Sequence, residues 1–200
     1  MKQVYTDWHQ MFPGSGQGKH YPYLLDNIIQ NLKHNRYYEK KHHGTPKRDP
    51  LYKTAVDYGC GKGGTIRWLN GLAPHLAITG YDPGNPQYKD VHLGTYDLAY
   101  SCDVLEHIEL EDIPHTLEHI QSLAPVNILI IDLTPAKKHL PDGRNAHVTL
   151  LSKDEWIDTF DDERYEHHIL NIQTYSQPDP NFGERTRLCV TTSNRTQERS

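Results

Sequence analysis

The stretch from Val56 to Gly64, VDYGCGKGG, constrains this chain more than any other. A short apolar segment, TAVDY, runs into it. TIRWLNGLA follows, with Ile66, Leu69 and Leu72 at helical spacing and Pro74 just beyond. The local reading is therefore strand, glycine turn, helix. Glycine permits positive φ and lets a ligand approach the main chain closely, and the first N–H groups of a helix offer it donors. In an open α/β sheet, such a turn lies where ligands bind, outside the carboxyl ends of the strands.

The rest of the chain supplies the sheet. LAITGYD reads as a second strand ending at Asp82, before the hard turn PGNP, and YDLAYSCDVL as a third. EDIPHTLEHIQSLA places Ile113, Leu117, Ile120 and Leu123 on one helical face, with Pro114 in the first turn where it is tolerated. VNILIIDL is the most apolar strand and fits the sheet centre. In SKDEWIDTF, Ser152 and Glu155 have capping-box spacing. HHILNIQTYS and RTRLCVTTS read as two last strands joined by QPDPNFGE without a helix, which suits an antiparallel pair. The expected fold class is α/β: a Rossmann-like doubly wound sheet, mostly parallel, with an antiparallel C-terminal strand pair. Residues 1–50 read as a cap and basic linker. Tyr5, Trp8, Phe12, Tyr21 and Tyr23 surround GSGQGKH, a helix covers about Pro22–Leu32, and Lys33–Pro50 holds six cations against two carboxylates. Those aromatics serve as a lid over the substrate or pack the first helix on the sheet. The sheet domain covers 51–192, and 193–200 is a frayed tail.

Composition excludes several classes. A chain of 200 residues suits one domain with an attached N-terminal element. Its formal net charge of −5 does not give the field of a nucleic-acid binder. No apolar run approaches the roughly 20 residues of a membrane span, and MKQVYTDWHQ has no signal-peptide core. Cys60, Cys102 and Cys189 are odd in number and far apart, so a reducing, cytoplasmic setting is expected.

Asp57, at the end of the first strand, accepts a hydrogen bond from a ligand amine or from the glycine turn. Asp82, about 20 residues after that turn, is placed for a ribose hydroxyl pair, and it also reads as a plain turn residue. Gly59, Gly61 and Gly64 satisfy the G-x-G-x-x-G spacing of dinucleotide sites as well, a weak pattern alone. Asp103, Glu106 and His107 leave the third strand. His147 ends the long loop TPAKKHLPDGRNAH, just before VTLL, which anchors that loop to the core. Both segments follow strands of one parallel sheet, so His107 and His147 are expected to face one cleft. Such a pair serves a general base, a divalent ion or an anionic substrate; a structural hydrogen bond is the plainer role. Lys137, Lys138 and Arg144 make the loop basic, for an anionic substrate or as solvated surface.

VDYGCGKGG, GYD ending at Asp82, and YDLAYSCDVLEHI resemble the successive cofactor motifs of class I S-adenosylmethionine-dependent methyltransferases. LPDGRNAH, followed by an aromatic-containing helix, is similar to short bacterial and phage-borne methyltransferase-like proteins. The resemblance implies that 51–192 is a methyltransferase domain whose cofactor, S-adenosylmethionine, lies across the C-terminal edge of the sheet. Asp57, Gly59, Cys60, Gly61, Gly63 and Asp82 would hold it, and Ser101, Cys102 and Asp103 would border the methyl group. The usual third strand is not clear in the short stretch QYKDVHLGTYD, where Asp90 is the candidate adenine contact. Asp103, Glu106, His107 and His147 resemble the Glu–His…His metal site of small-RNA terminal 2′-O-methyltransferases and some quinone O-methyltransferases. A divalent metal would then sit on Glu106, His107 and His147, and His107, His147 and Asp103 would be catalytic. The expected activity is methyl transfer to a small-molecule or saccharide acceptor, anionic groups included. The alternatives are an RNA-directed 2′-O-methyltransferase, metal-assisted, and a non-catalytic cofactor-binding subunit. An NAD-dependent oxidoreductase is a further alternative, which DVLEH disfavours.

Overall fold

A computed structural model describes Tyr21, Leu24 and residues 52–161 and 167–194. The expected N-terminal cap and basic linker lie outside the described residues, apart from Tyr21 and Leu24, which are both buried. The chain divides into two compact units, 1–93 and 94–200.

In the first unit, β1 (Thr54–Tyr58) pairs in parallel with β2 (Ala77–Tyr81), setting Asp57 opposite Gly80 and Tyr58 opposite Tyr81. Between them runs α1 (Gly64–Leu72), whose N-cap Gly63 sits at φ 70 in the left-handed region. The helix buries Thr65 and Leu69. Leu72, expected on the same face, is 53% exposed because the helix ends there and the chain turns inward at buried Ala73 instead. Residues 82–97 contain no strand, as the shortness of QYKDVHLGTYD implied.

The second unit begins with β3 (Leu98–Cys102). A 3-10 turn at Leu105–His107 and another at Leu110–Asp112 lead into α2 (Ile113–Leu123). β4 (Val126–Asp132), α3 (Lys153–Phe160), β5 (His167–Asp179) and β6 (Gly183–Asn194) complete it. Its strands lie in the order β3-β4-β6-β5, with β3 and β4 parallel and β6 antiparallel to both β4 and β5. Six strands alternating with helices, mostly parallel and with β5 and β6 as the antiparallel pair, make the Rossmann-like α/β fold.

The periodicities explain the packing. Ile113, Leu117, Ile120 and Leu123 are all buried on α2, and covering each such side chain contributes about 1.5–3 kcal/mol. The capping box of α3 is present: Ser152 Oγ accepts from Glu155 N, and Glu155 Oε2 accepts from Ser152 N. It starts a helix that buries Trp156 and Phe160, stacked 5.9 Å apart. The C-terminal strands are longer than the sequence suggested. QPDPNFGE was expected to be a loop, yet pairing continues to Asp179 opposite Gly183. Gly183 at φ 73 closes the hairpin there, a role for which glycine carries little steric cost. β6 also runs through Ser193 and Asn194, placed by the sequence in the tail; Asn194 donates from Nδ2 to the carbonyls of Gln121 and Ala124. Among the described residues, no helix is long and apolar enough to cross a membrane.

Candidate active site

The glycine turn of the first unit is held from the far side of β2. Gly59 N and Cys60 N both donate to the Tyr81 carbonyl, at 2.7 and 3.0 Å. Asp82, buried at the end of β2, accepts from Gly61 N at 2.8 Å and from Gly84 N at 2.9 Å. Asn85 adds a second latch, its Nδ2 donating to the Gly61 carbonyl at 2.6 Å. The segment DPGN therefore clamps the turn from two side chains. The sequence reading found Asp82 but missed Asn85, whose turn position was its signal.

Gly59, Gly61 and Gly63 all have positive φ (80, 57 and 70). At Gly63 a Cβ would also lie 2.7 Å from Tyr88 Oη. Asp57 is 2% exposed at the end of β1. Cys60 is buried, and burial first, then the Asp57 and Asp82 carboxylates, push its thiol well above the ordinary range. It stays protonated and packs beside Gly80, where a Cβ would meet its Sγ at 2.9 Å. Asp90, the candidate adenine contact, is exposed beside Lys89.

In the second unit, β3 brings Ser101 and Cys102 to its carboxyl end. Ser101 is 1% exposed, and its Oγ is buried without a hydrogen-bond partner. Asp103 is the one non-glycine residue with positive φ among those described, at 53. Such a backbone costs of order 1–3 kcal/mol and persists where surrounding contacts hold it. Here they do: Asp103 N donates to the Ile130 carbonyl, and Arg187 grips the carboxylate through Nε–Oδ1 at 2.8 Å and Nη2–Oδ2 at 3.0 Å. Both oxygens of the carboxylate are thus engaged by one guanidinium, and the contact fixes the turn that follows.

That turn carries Glu106 and His107. Glu106 is fully buried; its Oε1 accepts from Asp132 N at 3.2 Å, and its Oε2 has no hydrogen-bond partner. Burial, reinforced by the charges of Asp103 and Asp132, raises its carboxyl well above the ordinary glutamate range. His107 Nδ1 lies 2.8 Å from the Ala146 carbonyl, and His147 Nδ1 lies 2.6 Å from the Thr134 carbonyl. A carbonyl only accepts, so each Nδ1 carries a proton, and in the neutral ring Nε2 is then the nitrogen with the lone pair. Burial also lowers the pKa of His147, which favours its neutral form. The rings meet edge to face at 4.7 Å. One ligand atom from each of Glu106, His107 and His147 lies within 4.8 Å of the others. The structure brings the two histidines together within this unit.

The long loop before His147 is folded. Asn145 Oδ1 accepts from Ala136 N and His147 N, and its Nδ2 donates to the Ala136 carbonyl. Thr149 then ties the strap to the Glu106 turn, through its N to the Glu106 carbonyl and its Oγ1 to the Ile108 carbonyl. The basic character of the loop is compensated. Lys137 pairs with Asp179 at 3.1 Å, and Arg144 pairs with Glu109 at 2.7 Å and Asp142 at 2.8 Å. The cations at the heart of the cluster are Arg185 and Arg187, which the sequence reading passed over as strand residues. Arg185 pairs with Asp132 and Asp179, and Arg187 with Asp103 and Asp132.

The first unit thus carries a glycine turn open to close approach, and the second a Glu–His–His set in which Glu106 and His147 are buried and His107 is half-buried. The profile of a methyltransferase domain family matches residues 31–177. The chain belongs to that family, the S-adenosylmethionine-dependent methyltransferases. None of the curated proteins matches its sequence significantly.

Among solved structures, it is similar to magnesium protoporphyrin IX methyltransferase ChlM from Synechocystis PCC 6803 with bound SAH. The identity is 18% and the TM-score 0.50, over 95% of this chain and 99% of that one. The small RNA methyltransferase HEN1 shows 15% identity and a TM-score of 0.52, over 85% of this chain and 25% of that one. The mitomycin 7-O-methyltransferase MmcR shows 15% identity and a TM-score of 0.49, over 72% of this chain. The chain thus spans about half the length of MmcR (49%) and a quarter of HEN1. At these identities the likeness concerns the fold.

Proposed function

We propose that this protein transfers a methyl group from S-adenosylmethionine to a hydroxyl oxygen of a small-molecule or saccharide acceptor, which it activates at Glu106, His107 and His147. The observation that carries this reading is the convergence of one buried carboxylate oxygen without a partner and two imidazoles whose Nδ1 protons sit on carbonyls. A thioether or carboxylate acceptor needs no such cluster, whereas a hydroxyl must lose its proton as it attacks.

In this reading, Gly59, Gly61 and Gly63 admit the amino-acid part of the donor. Asp57 and the turn holding Cys60 line it, and the remaining lone pairs of Asp82 serve the ribose. Ser101 and Cys102 border the methyl group, and Asp103 supports them. The transfer is an in-line displacement: the acceptor O–C bond forms as the C–S bond breaks, and the electron pair stays on sulfur.

The cluster fits a divalent cation. Asp103, Asp132 and Asp179 are matched by Arg185, Arg187 and Lys137, which leaves the Glu106 charge uncompensated. Glu106 Oε2 and the Nε2 atoms of His107 and His147 would hold it, and their Nδ1–H···O=C bonds are the outer contacts that metal-ligating histidines ordinarily make. When bound, such a cation acidifies a hydroxyl at neutral pH. The second reading keeps the same residues without a metal. His147, neutral because it is buried, then takes the proton of the acceptor.

The test is methyl transfer from labelled S-adenosylmethionine to a panel of sugar, phenol and RNA-terminal hydroxyls, with and without chelator. Activity lost with chelator and restored by manganese, zinc or magnesium supports the metal. Activity indifferent to chelator supports the imidazole base. Transfer only to nitrogen, sulfur or carboxylate acceptors overturns the hydroxyl reading. Preference for an RNA end would replace the small-molecule acceptor. The net charge and the paired cations of the loop argue against that outcome.

A further inference from the structure

We infer that Arg187 is a positioning residue that sets how His107 and His147 face each other. The inference rests on reading Glu106, His107 and His147 as one functional set.

Arg187 is 2% exposed on β6 and touches the ends of two strands at once. One arm is the fork onto Asp103 just past β3. The other is Nη2 to Asp132 Oδ2, 3.2 Å away at the end of β4. Each contact continues to one histidine. Asp103 holds the left-handed turn from which the 3-10 segment of Glu106 and His107 starts, with His107 N donating to the Val104 carbonyl at 3.0 Å. Asp132 accepts from Thr134 N at 3.0 Å, and the Thr134 carbonyl takes the His147 Nδ1 proton at 2.6 Å. Asp132 N also holds Glu106 Oε1. A single guanidinium therefore spans both supports, and its planar fork fixes distance as well as charge. Arg185 does not substitute for it. Its partners are Asp132, Asp179 and the Pro135 carbonyl, all on the His147 side.

Lysine keeps the charge and loses the fork, so Arg187→Lys is the informative variant. In long-range proton–nitrogen spectra of the 15N-labelled full chain, the wild type is expected to show both imidazoles as single Nδ1-protonated tautomers. Arg187→Lys should show mixed tautomers for at least one of them. Cobalt(II) affinity, read from its absorption, should fall 10–100-fold, the loss ordinarily seen when an outer partner of a metal ligand is removed.

If the lysine variant does not unfold cooperatively, the double variant Arg187→Met, Asp103→Asn takes its place. It removes the cation together with the carboxylate it forks, and Asp132 keeps Arg185 as its partner. Retention of both single tautomers in a folded variant overturns the inference, whatever the metal does. If the wild type takes up no cobalt but the tautomers still mix in the variant, the metal reading fails and the positioning role stands. A role in stability alone would lower the melting temperature and leave the imidazole signals in place.

Discussion

His107 and His147 meet edge to face, with ring centroids 4.7 Å apart and planes at 84°, although 39 residues of chain separate them. Each turns its Nδ1 onto a main-chain carbonyl, so the pair presents two like nitrogens rather than one donor and one acceptor. His107→Gln and His147→Gln should each lower methyl transfer by roughly 10²–10⁴-fold if the ring supplies the proton acceptor or its ligand. Donor binding, proposed above to rest chiefly on the glycine turn and Asp82, should change less than twofold. Initial rates and calorimetry on the same preparations check this. Loss of donor affinity in step with the rate would place the histidines in donor binding.

S-Adenosylhomocysteine should stabilise the protein, and NAD should not. The glycine turn and buried Asp82 supply the motivation. At about 100 times its dissociation constant, a ligand that binds only the folded chain adds roughly 2.7 kcal/mol. Thermal unfolding with each ligand measures it, and equal shifts with NAD would sink the sulfur-cofactor preference.

Asp82→Ala should reduce both donor affinity and stability. Its oxygens hold Gly61 N and Gly84 N, so the variant frees the turn as well as losing the proposed ribose contact. Each hydrogen bond to a charged acceptor is worth about 1.5–3 kcal/mol. Asn85→Ala, which removes the other latch on Gly61, should show a smaller loss of the same kind. Unchanged stability in Asp82→Ala would mean the turn holds its shape without it.

Glu106→Gln should separate stability from function. Burial, then the Asp103 charge, raises the Glu106 carboxyl in the folded state. The stability tied to its protonated form is fully present below the ordinary glutamate range and is lost as pH rises through the raised value. The glutamine, which never ionises, should therefore melt higher than the wild type in metal-free buffer at neutral pH and show a smaller fall towards alkaline pH. For a chain of this size, each kcal/mol corresponds to about 2–4 °C. The same variant should lose cobalt binding. A lower melting temperature across the whole pH range would mean that the Oε1 contact with Asp132 N outweighs the buried charge.

Much of this fold is written in short-range pattern. TAVDY, VNILIIDL and the α2 stripe are long apolar or strictly periodic segments, and Ser152 with Glu155 announces its helix by spacing alone. The glycine turn and His107 are also legible, because each lies just past an evident strand, and His147 because the long loop after β4 carries it. What the sequence concealed depends on partners far away in the chain. The fork between Asp103 and Arg187 joins residues 84 positions apart, which β6 brings together. One local sign was present: Arg185 and Arg187 are two apart in a strand, so they share a face. Two arginines on one face of a strand that runs on into apolar LCV call for buried carboxylates. The hairpin was underestimated because Pro178 and Pro180 read as loop, whereas at an edge strand proline costs no ladder bond.

Asn145 closes the neck of the loop that carries His147, and everything beyond the neck is a separate small turn. Leu140 N donates to the Arg144 carbonyl and Gly143 N to the Leu140 carbonyl, so Pro141, Asp142 and Gly143 form an exposed tip with its own bonds. The histidine is fixed below that tip by the Thr134 carbonyl and by Asn145 Oδ1, which accepts from its N–H. Chain inserted between Pro141 and Gly143 would therefore lengthen the rim without moving the imidazole. On the proposed function, the loop is a socket for grafted recognition elements, where acceptor preference could be rebuilt while the imidazole beneath stays in place.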